Sequence, residues 1–220
     1  MRQALLCDLD GVLRRWPPMT GIEQAYGVPP GALAAAAFAP DRLLPAVTGR
    51  CTDEEWRAAV AADLATHTDQ ATELVAAWSA SVGEVDQEVA ELLARARRHG
   101  PVVLVTNATT RLESDVDILG LADLVDAIVN SARLAAAKPD RRIYLEAAER
   151  AGVTPERCLF VDDSATNTDT ARALGMTAHH FTGTPGLRAF LVSQGWEPRA
   201  ASRRGPGGTP PRGRRPGGTP

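Results

Sequence analysis

A chain of 220 residues, 44% hydrophobic and 5% aromatic, carries enough apolar material for one α/β-sized core plus a modest insertion, and too little for two full domains. Its 24 basic residues face 27 acidic ones, and six of the arginines lie at or beyond Arg199, so the rest of the chain is distinctly acidic and is expected to offer no nucleic-acid surface. No apolar run approaches the ~20 residues of a membrane span or resembles a signal segment, and Cys7, Cys51 and Cys158 are too scattered for a zinc site, so free thiols and a cytoplasmic location are expected.

The first element is a strand over 4–9, a short apolar run that ends on the carboxylate of Asp8. From Arg14 to about Gly83 no convincing strand follows. The clearest helix there starts at Thr52, where Thr52-Asp53-Glu54-Glu55 has capping-box spacing ahead of Trp56, Val60 and Leu64, and a second is expected over 69–79. Beyond Gly83, helices over 86–98, 110–119, 141–151 and 165–174 alternate with strands over 101–106, 126–130, 157–161 and 177–181. Such alternation predicts an α/β fold, a Rossmann-like parallel sheet core with an inserted small helical cap domain. The expected division is 1–13 and 84–197 for the core and 14–83 for the cap. Residues 198–220, rich in Arg, Gly and Pro, are expected to be disordered.

Ligands of open parallel sheets bind beyond the carboxyl ends of the strands. The residues at those ends are Asp8 and Asp10, then Thr106 and Asn107, then Asp162 and Asp163, with Lys138 in a loop ahead of a helix. Singly, each has an ordinary reading: an aspartate caps the next helix, a Thr-Asn pair makes a turn, a lysine is exposed. Jointly they are harder to dismiss, because clustered carboxylates repel unless a cation lies between them, and magnesium is the usual one beside a phosphate. Of the 24 basic residues, Lys138 is the single lysine.

Asp8-Leu9-Asp10-Gly11-Val12-Leu13, Thr106-Asn107, Lys138-Pro139 and Val161-Asp162-Asp163-Ser164 resemble the four ordered motifs of the haloacid dehalogenase-like hydrolase superfamily, in its phosphatase branch with a helical cap after the first motif. The resemblance implies Asp8 as nucleophile, Asp10 as general acid and base, and Lys138 as charge balance. It places Thr106 and Asn107 on the phosphate, and Mg2+ on Asp8, the main-chain carbonyl of Asp10, and Asp163, with Asp162 nearby. Val12 stands where Thr is common, and Asn167 fills the last acidic position of the fourth motif.

The activity so implied is Mg-dependent hydrolysis of a small phosphate monoester through an aspartyl-phosphate, with a small phosphorylated metabolite, a sugar phosphate among the candidates, as substrate. A 2-haloacid dehalogenase, a phosphomutase and a catalytically silent binding protein on the same fold are the alternatives; the carboxylate of Asp10 speaks against the first, and the full set of Asp8, Asp10, Lys138 and Asp163 against the last. Arg14, Arg15, Trp16 and Arg50 are candidate contacts to the leaving group, with hinge and cap packing as their plainer roles. The cap text resembles that of sugar-phosphate phosphatases and of the phosphatase domain of epoxide hydrolases.

Overall fold

A computed structural model describes residues 3–196, so the expectation of a disordered tail over 198–220 lies outside the described residues. In chain order the elements begin with strands β1 (Ala4–Cys7) and β2 (Arg14–Arg15). Helices α1 (Thr20–Ala25), α2 (Ala32–Ala37), α3 (Pro40–Val47), α4 (Asp53–Leu64) and α5 (Ala71–Ser79) follow. Then come β3 (Glu84–Val85), α6 (Gln87–Ala96), β4 (Val102–Thr106), α7 (Leu112–Ile118), β5 (Ala127–Asn130) and α8 (Ser131–Leu134). The chain continues through α9 (Arg141–Arg150), β6 (Cys158–Asp162), α10 (Ala165–Ala173), β7 (Thr177–His180) and α11 (Thr184–Ser193).

Five strands form one parallel sheet in the order β5-β4-β1-β6-β7. Its central strands are buried on both faces, which is why they read as unbroken apolar runs. Alternate residues divide between two cores. Leu5, Cys7, Val102, Leu104, Leu159 and Val161 meet α6, α7 and α11 on one side. Ala4, Leu6, Val103, Val105, Cys158 and Phe160 meet α9 and α10 on the other. Each face is therefore covered by helices, and the chain leaves β1 for β4 and β5 before crossing to β6 and β7. The switch of direction falls between β1 and β6, where such sheets bind ligands.

The helices over 20–79 pack on a third cluster of their own, including Leu33, Trp56, Val60, Leu64 and Leu74. The capping box at Thr52 is present: Glu55 N–H donates to Thr52 Oγ1 (3.2 Å) and Thr52 N–H to Glu55 Oε2 (2.8 Å). The reading of 14–83 as strand-free needs one correction. Arg14–Arg15 pairs antiparallel with Glu84–Val85, a ribbon that ties the two ends of the insertion together. Two residues per strand are too few to show any period, so no sequence pattern marks it.

Candidate active site

The first turn after β1 is shaped by Gly11, at φ +80°, where an added Cβ would come within 2.0 Å of Asp163 Oδ2. Only glycine lets the first loop approach the fourth so closely. Asp8 follows the last residue of β1, and its Oδ1 accepts from the Leu9 N–H (2.7 Å). Lys138, in a loop whose Lys138–Pro139 peptide is cis, places Nζ 2.7 Å from Asp8 Oδ1 and 2.7 Å from Asp162 Oδ2. All three side chains are buried.

Asp162 ends β6 with both oxygens engaged. Oδ2 takes Lys138, while Oδ1 accepts from the Ser164 N–H (2.8 Å) and the Asn167 amide (2.9 Å). Asn167 therefore serves by orienting Asp162, a role an aspartate there could not fill without repulsion. Asn107, expected at the phosphate, has its side chain committed to the main chain of Lys138: Nδ2 donates to the carbonyl (2.9 Å) and Oδ1 accepts from the N–H (2.7 Å). That clamp fixes the lysine loop against the end of β4.

Thr106 is fully buried at the end of β4, and its Oγ1 has no hydrogen-bond partner. Such an orphan hydroxyl costs free energy unless a ligand completes it.

Asp10 departs from the expected convergence. Its carboxylate takes a two-pronged pair from Arg14 (Nε to Oδ1 2.7 Å, Nη2 to Oδ2 2.9 Å) and the indole N–H of Trp16 (2.7 Å). Arg14 is itself buried, and joins Asp10 to Asp115 (3.0 Å). Arg111 bonds the other oxygen of Asp115 (2.9 Å) and the carbonyls of Ser79 (2.6 Å) and Ser81 (3.0 Å). An ionic chain thus leads from the second carboxylate of the site to the end of the helical insertion. From the sequence Arg14 is only a candidate contact to the leaving group, and its burial has no signature there. Arg15 pairs instead with Asp86, and Arg50 is exposed.

Ligand oxygens of Asp8, Asp162 and Asp163 lie within 4.8 Å of one another. One ammonium does not balance three carboxylates. Burial pushes the Asp8 carboxyl up to about 8, against the pull of Lys138 and with repulsion from Asp162. Asp163 is also raised, by desolvation and then by Asp162. Lys138 is held above its usual value, the two carboxylates outweighing its own desolvation. Asp8, Asp163 and Lys138 thus all hold their protons more tightly than usual, the signature of a site short of positive charge, and an all-oxygen donor set fits a hard divalent cation. Cys7, beside Asp8, is a buried thiol raised far above its normal range by desolvation and does not compete as a nucleophile.

A family model described as haloacid dehalogenase-like hydrolase matches residues 3–175. A phosphatase of Mycobacterium tuberculosis is 42% identical over 90 residues, 40% of this chain and 42% of that one. The protein CbbY of Rhodobacter capsulatus is 32% identical over 93 residues, 40% of this chain and 41% of that one, so the alignments span well under half of either relative. Among solved structures, a haloacid dehalogenase family enzyme from Bacteroides thetaiotaomicron, in complex with magnesium and inorganic phosphate, superposes with a TM-score of 0.65 at 23% identity, covering 81% of this chain and 93% of that one. L-2-haloacid dehalogenase from Xanthobacter autotrophicus gives 0.63 at 23%, covering 90% and 85%. Likenesses at that identity establish the shared fold. With the family match over most of its length, a doubly wound parallel sheet, and an aspartate cluster at the switch point, the chain belongs to the haloacid dehalogenase-like hydrolases.

Proposed function

We propose that this hydrolase is a magnesium-dependent phosphatase acting on a small phosphate monoester, with Asp8 as nucleophile. The observation that carries the reading is the buried, unpartnered Thr106 hydroxyl at the end of β4, with a cluster of three carboxylates that a single lysine leaves short of positive charge. A phosphoryl group gives the hydroxyl an acceptor, and a divalent cation balances the acids. A relative bearing a phosphatase name, and the fold neighbour holding magnesium and phosphate, support it.

In this proposal a carboxylate oxygen of Asp8 attacks phosphorus, and the bond from phosphorus to the ester oxygen breaks. Asp10 is the general acid and base of this proposal: once its carboxyl turns from the two-pronged pair with Arg14 and takes up a proton, it gives that proton to the departing oxygen and later takes one from the water that cleaves the aspartyl-phosphate. Lys138 keeps Asp8 oriented and offsets charge as the phosphoryl group transfers. Thr106 donates to a phosphoryl oxygen, and Asn107 holds the lysine loop. Asp8, Asp163 and the main-chain carbonyl of Asp10 would hold magnesium, with Asp162 behind them, and the bound ion supplies charge stabilisation to the phosphoryl oxygens. The helices over 14–83 form, in the same proposal, a cap domain over a core of 1–13 and 84–197. No described helix is long and apolar enough to cross a membrane, and the free cysteines suit the cytoplasm.

A dehalogenase acting at carbon would use Asp8 without a metal or general acid, and would leave the Asp10 carboxylate only its structural pair with Arg14 and Trp16. Phosphate release from an aryl phosphate in EDTA separates the two. Activity is expected to fall at least about a hundredfold, the scale of the several kcal/mol a catalytic cation contributes, and to return with excess magnesium. Full activity in the chelator would remove the metal from the account.

A further inference from the structure

Between the helical insertion and the sheet's carboxyl edge lies a cavity of about 460 Å³, within the roughly 300–1,000 Å³ of small-molecule sites. Asp10 lines it, as does Asn107, the residue after Thr106, so it adjoins the proposed phosphoryl site. Its remaining walls are largely aromatic and aliphatic, with arginine, aspartate, serine and threonine side chains among them. In a chain with four tryptophans, three (Trp16, Trp56 and Trp78) face this one space, joined by Phe38, Met19 and Ile22. Trp16 and Phe38 stay 42% and 48% exposed, large apolar surfaces in contact with water. The Trp56 N–H is bound to the carbonyl of Ala37 (3.1 Å) and that of Trp16 to Asp10, so neither offers its polar edge to a ligand.

The polar groups around the cavity are bound to one another. Asp53 accepts from the Thr109 hydroxyl (2.7 Å) and forms an ion pair with Arg57 (2.7 Å), whose Nη1 donates to Ser79 Oγ (3.0 Å). Arg111 spends its guanidinium on Asp115 and two carbonyls, Arg14 on Asp10 and Asp115, and Asn107 on Lys138. A polyhydroxylated leaving group entering here would surrender its water and find these donors and acceptors already paired. A hydrocarbon would cover the exposed aromatic faces and displace water that is held by few polar partners.

We therefore propose that the cavity is the leaving-group site and that it selects phosphate esters of apolar alcohols, cyclic or aromatic, over sugar phosphates. This rests on the phosphatase reading and replaces the sugar phosphate among its candidate substrates.

Two primary esters of like size make the test: cyclohexylmethyl phosphate and glucose 6-phosphate, which differ mainly in the ring oxygen and hydroxyls. kcat/KM for the first is expected to exceed that for the second by at least about tenfold. In parallel, cyclohexylmethanol, which carries no phosphate, should change the tryptophan emission of the wild-type protein saturably, while glucose does not. Equal or better turnover of glucose 6-phosphate, or no saturable response to the alcohol, overturns the cavity assignment. If neither ester is cleaved and the alcohol still binds, the apolar site stands and the phosphatase reading falls.

Discussion

Replacing Asp8 by Asn is expected to lower phosphate release by on the order of 10⁴-fold or more, because an amide cannot form the acyl-phosphate bond and nucleophile removal costs that much in enzymes of covalent mechanism. The structure makes the substitution a clean one. Asn is isosteric, its oxygen can keep the 2.7 Å bond from the Leu9 N–H, and Lys138 retains Asp162 as a partner. It also removes a carboxyl that burial has lifted from 3.8 to about 8, one that opposes folding as pH rises through that interval. The melting temperature of the metal-free protein at pH 8 should accordingly be no lower than wild type. Steady-state kinetics and a circular dichroism melt on one preparation, with deamidation checked by mass, give both numbers. Substantial turnover in the variant would mean that another group attacks.

Lys138→Arg should cost at least about tenfold in turnover, about 1.4 kcal/mol of barrier, although the charge is kept. The Lys138 side chain is 2% exposed, and its single nitrogen lies 2.7 Å from both Asp8 and Asp162. A guanidinium is wider and asks for planar, forked partners, which two carboxylates on different strands do not present. Overfilling a buried site of this kind should also lower stability by about 1–3 kcal/mol, seen as a lower melting midpoint. Near-native turnover would show that charge alone matters there, and that the presence of the only lysine among 24 basic residues at this position is coincidence.

The sheet was legible because strands buried on both faces must be apolar without alternation, and because Asp8, Thr106 and Asp162 stand at their ends. Strand ends shifted by a residue or two: the run over 4–9 stops at Cys7, where the Gly11 turn draws the chain toward Asp163. The helix expected from 110 begins at Leu112, since the Thr110 hydroxyl is occupied by the Asp53 N–H (2.9 Å), a contact 57 positions away. Of the site, the motif residues were legible and their mutual bonding was not. Nothing local tells that Asp10 turns to Arg14, or that Asn107 clamps the lysine loop. The cavity was hidden for the same reason: Trp16, Trp56 and Trp78 are spread over sixty positions and meet only through the packing of the insertion.

The covalent intermediate is the centre of this account, and trapping it is the most direct measurement. Wild-type protein turning over an aryl phosphate with magnesium is quenched in acid and reduced with borohydride, which converts an acyl-phosphate of aspartate to homoserine. Peptide mass mapping should then find homoserine at position 8, only when substrate is present, and not in Asp8→Asn. Homoserine at another position, or an unmodified Asp8 in protein that is visibly releasing phosphate and whose intermediate is allowed to accumulate by Asp10→Asn, would contradict it.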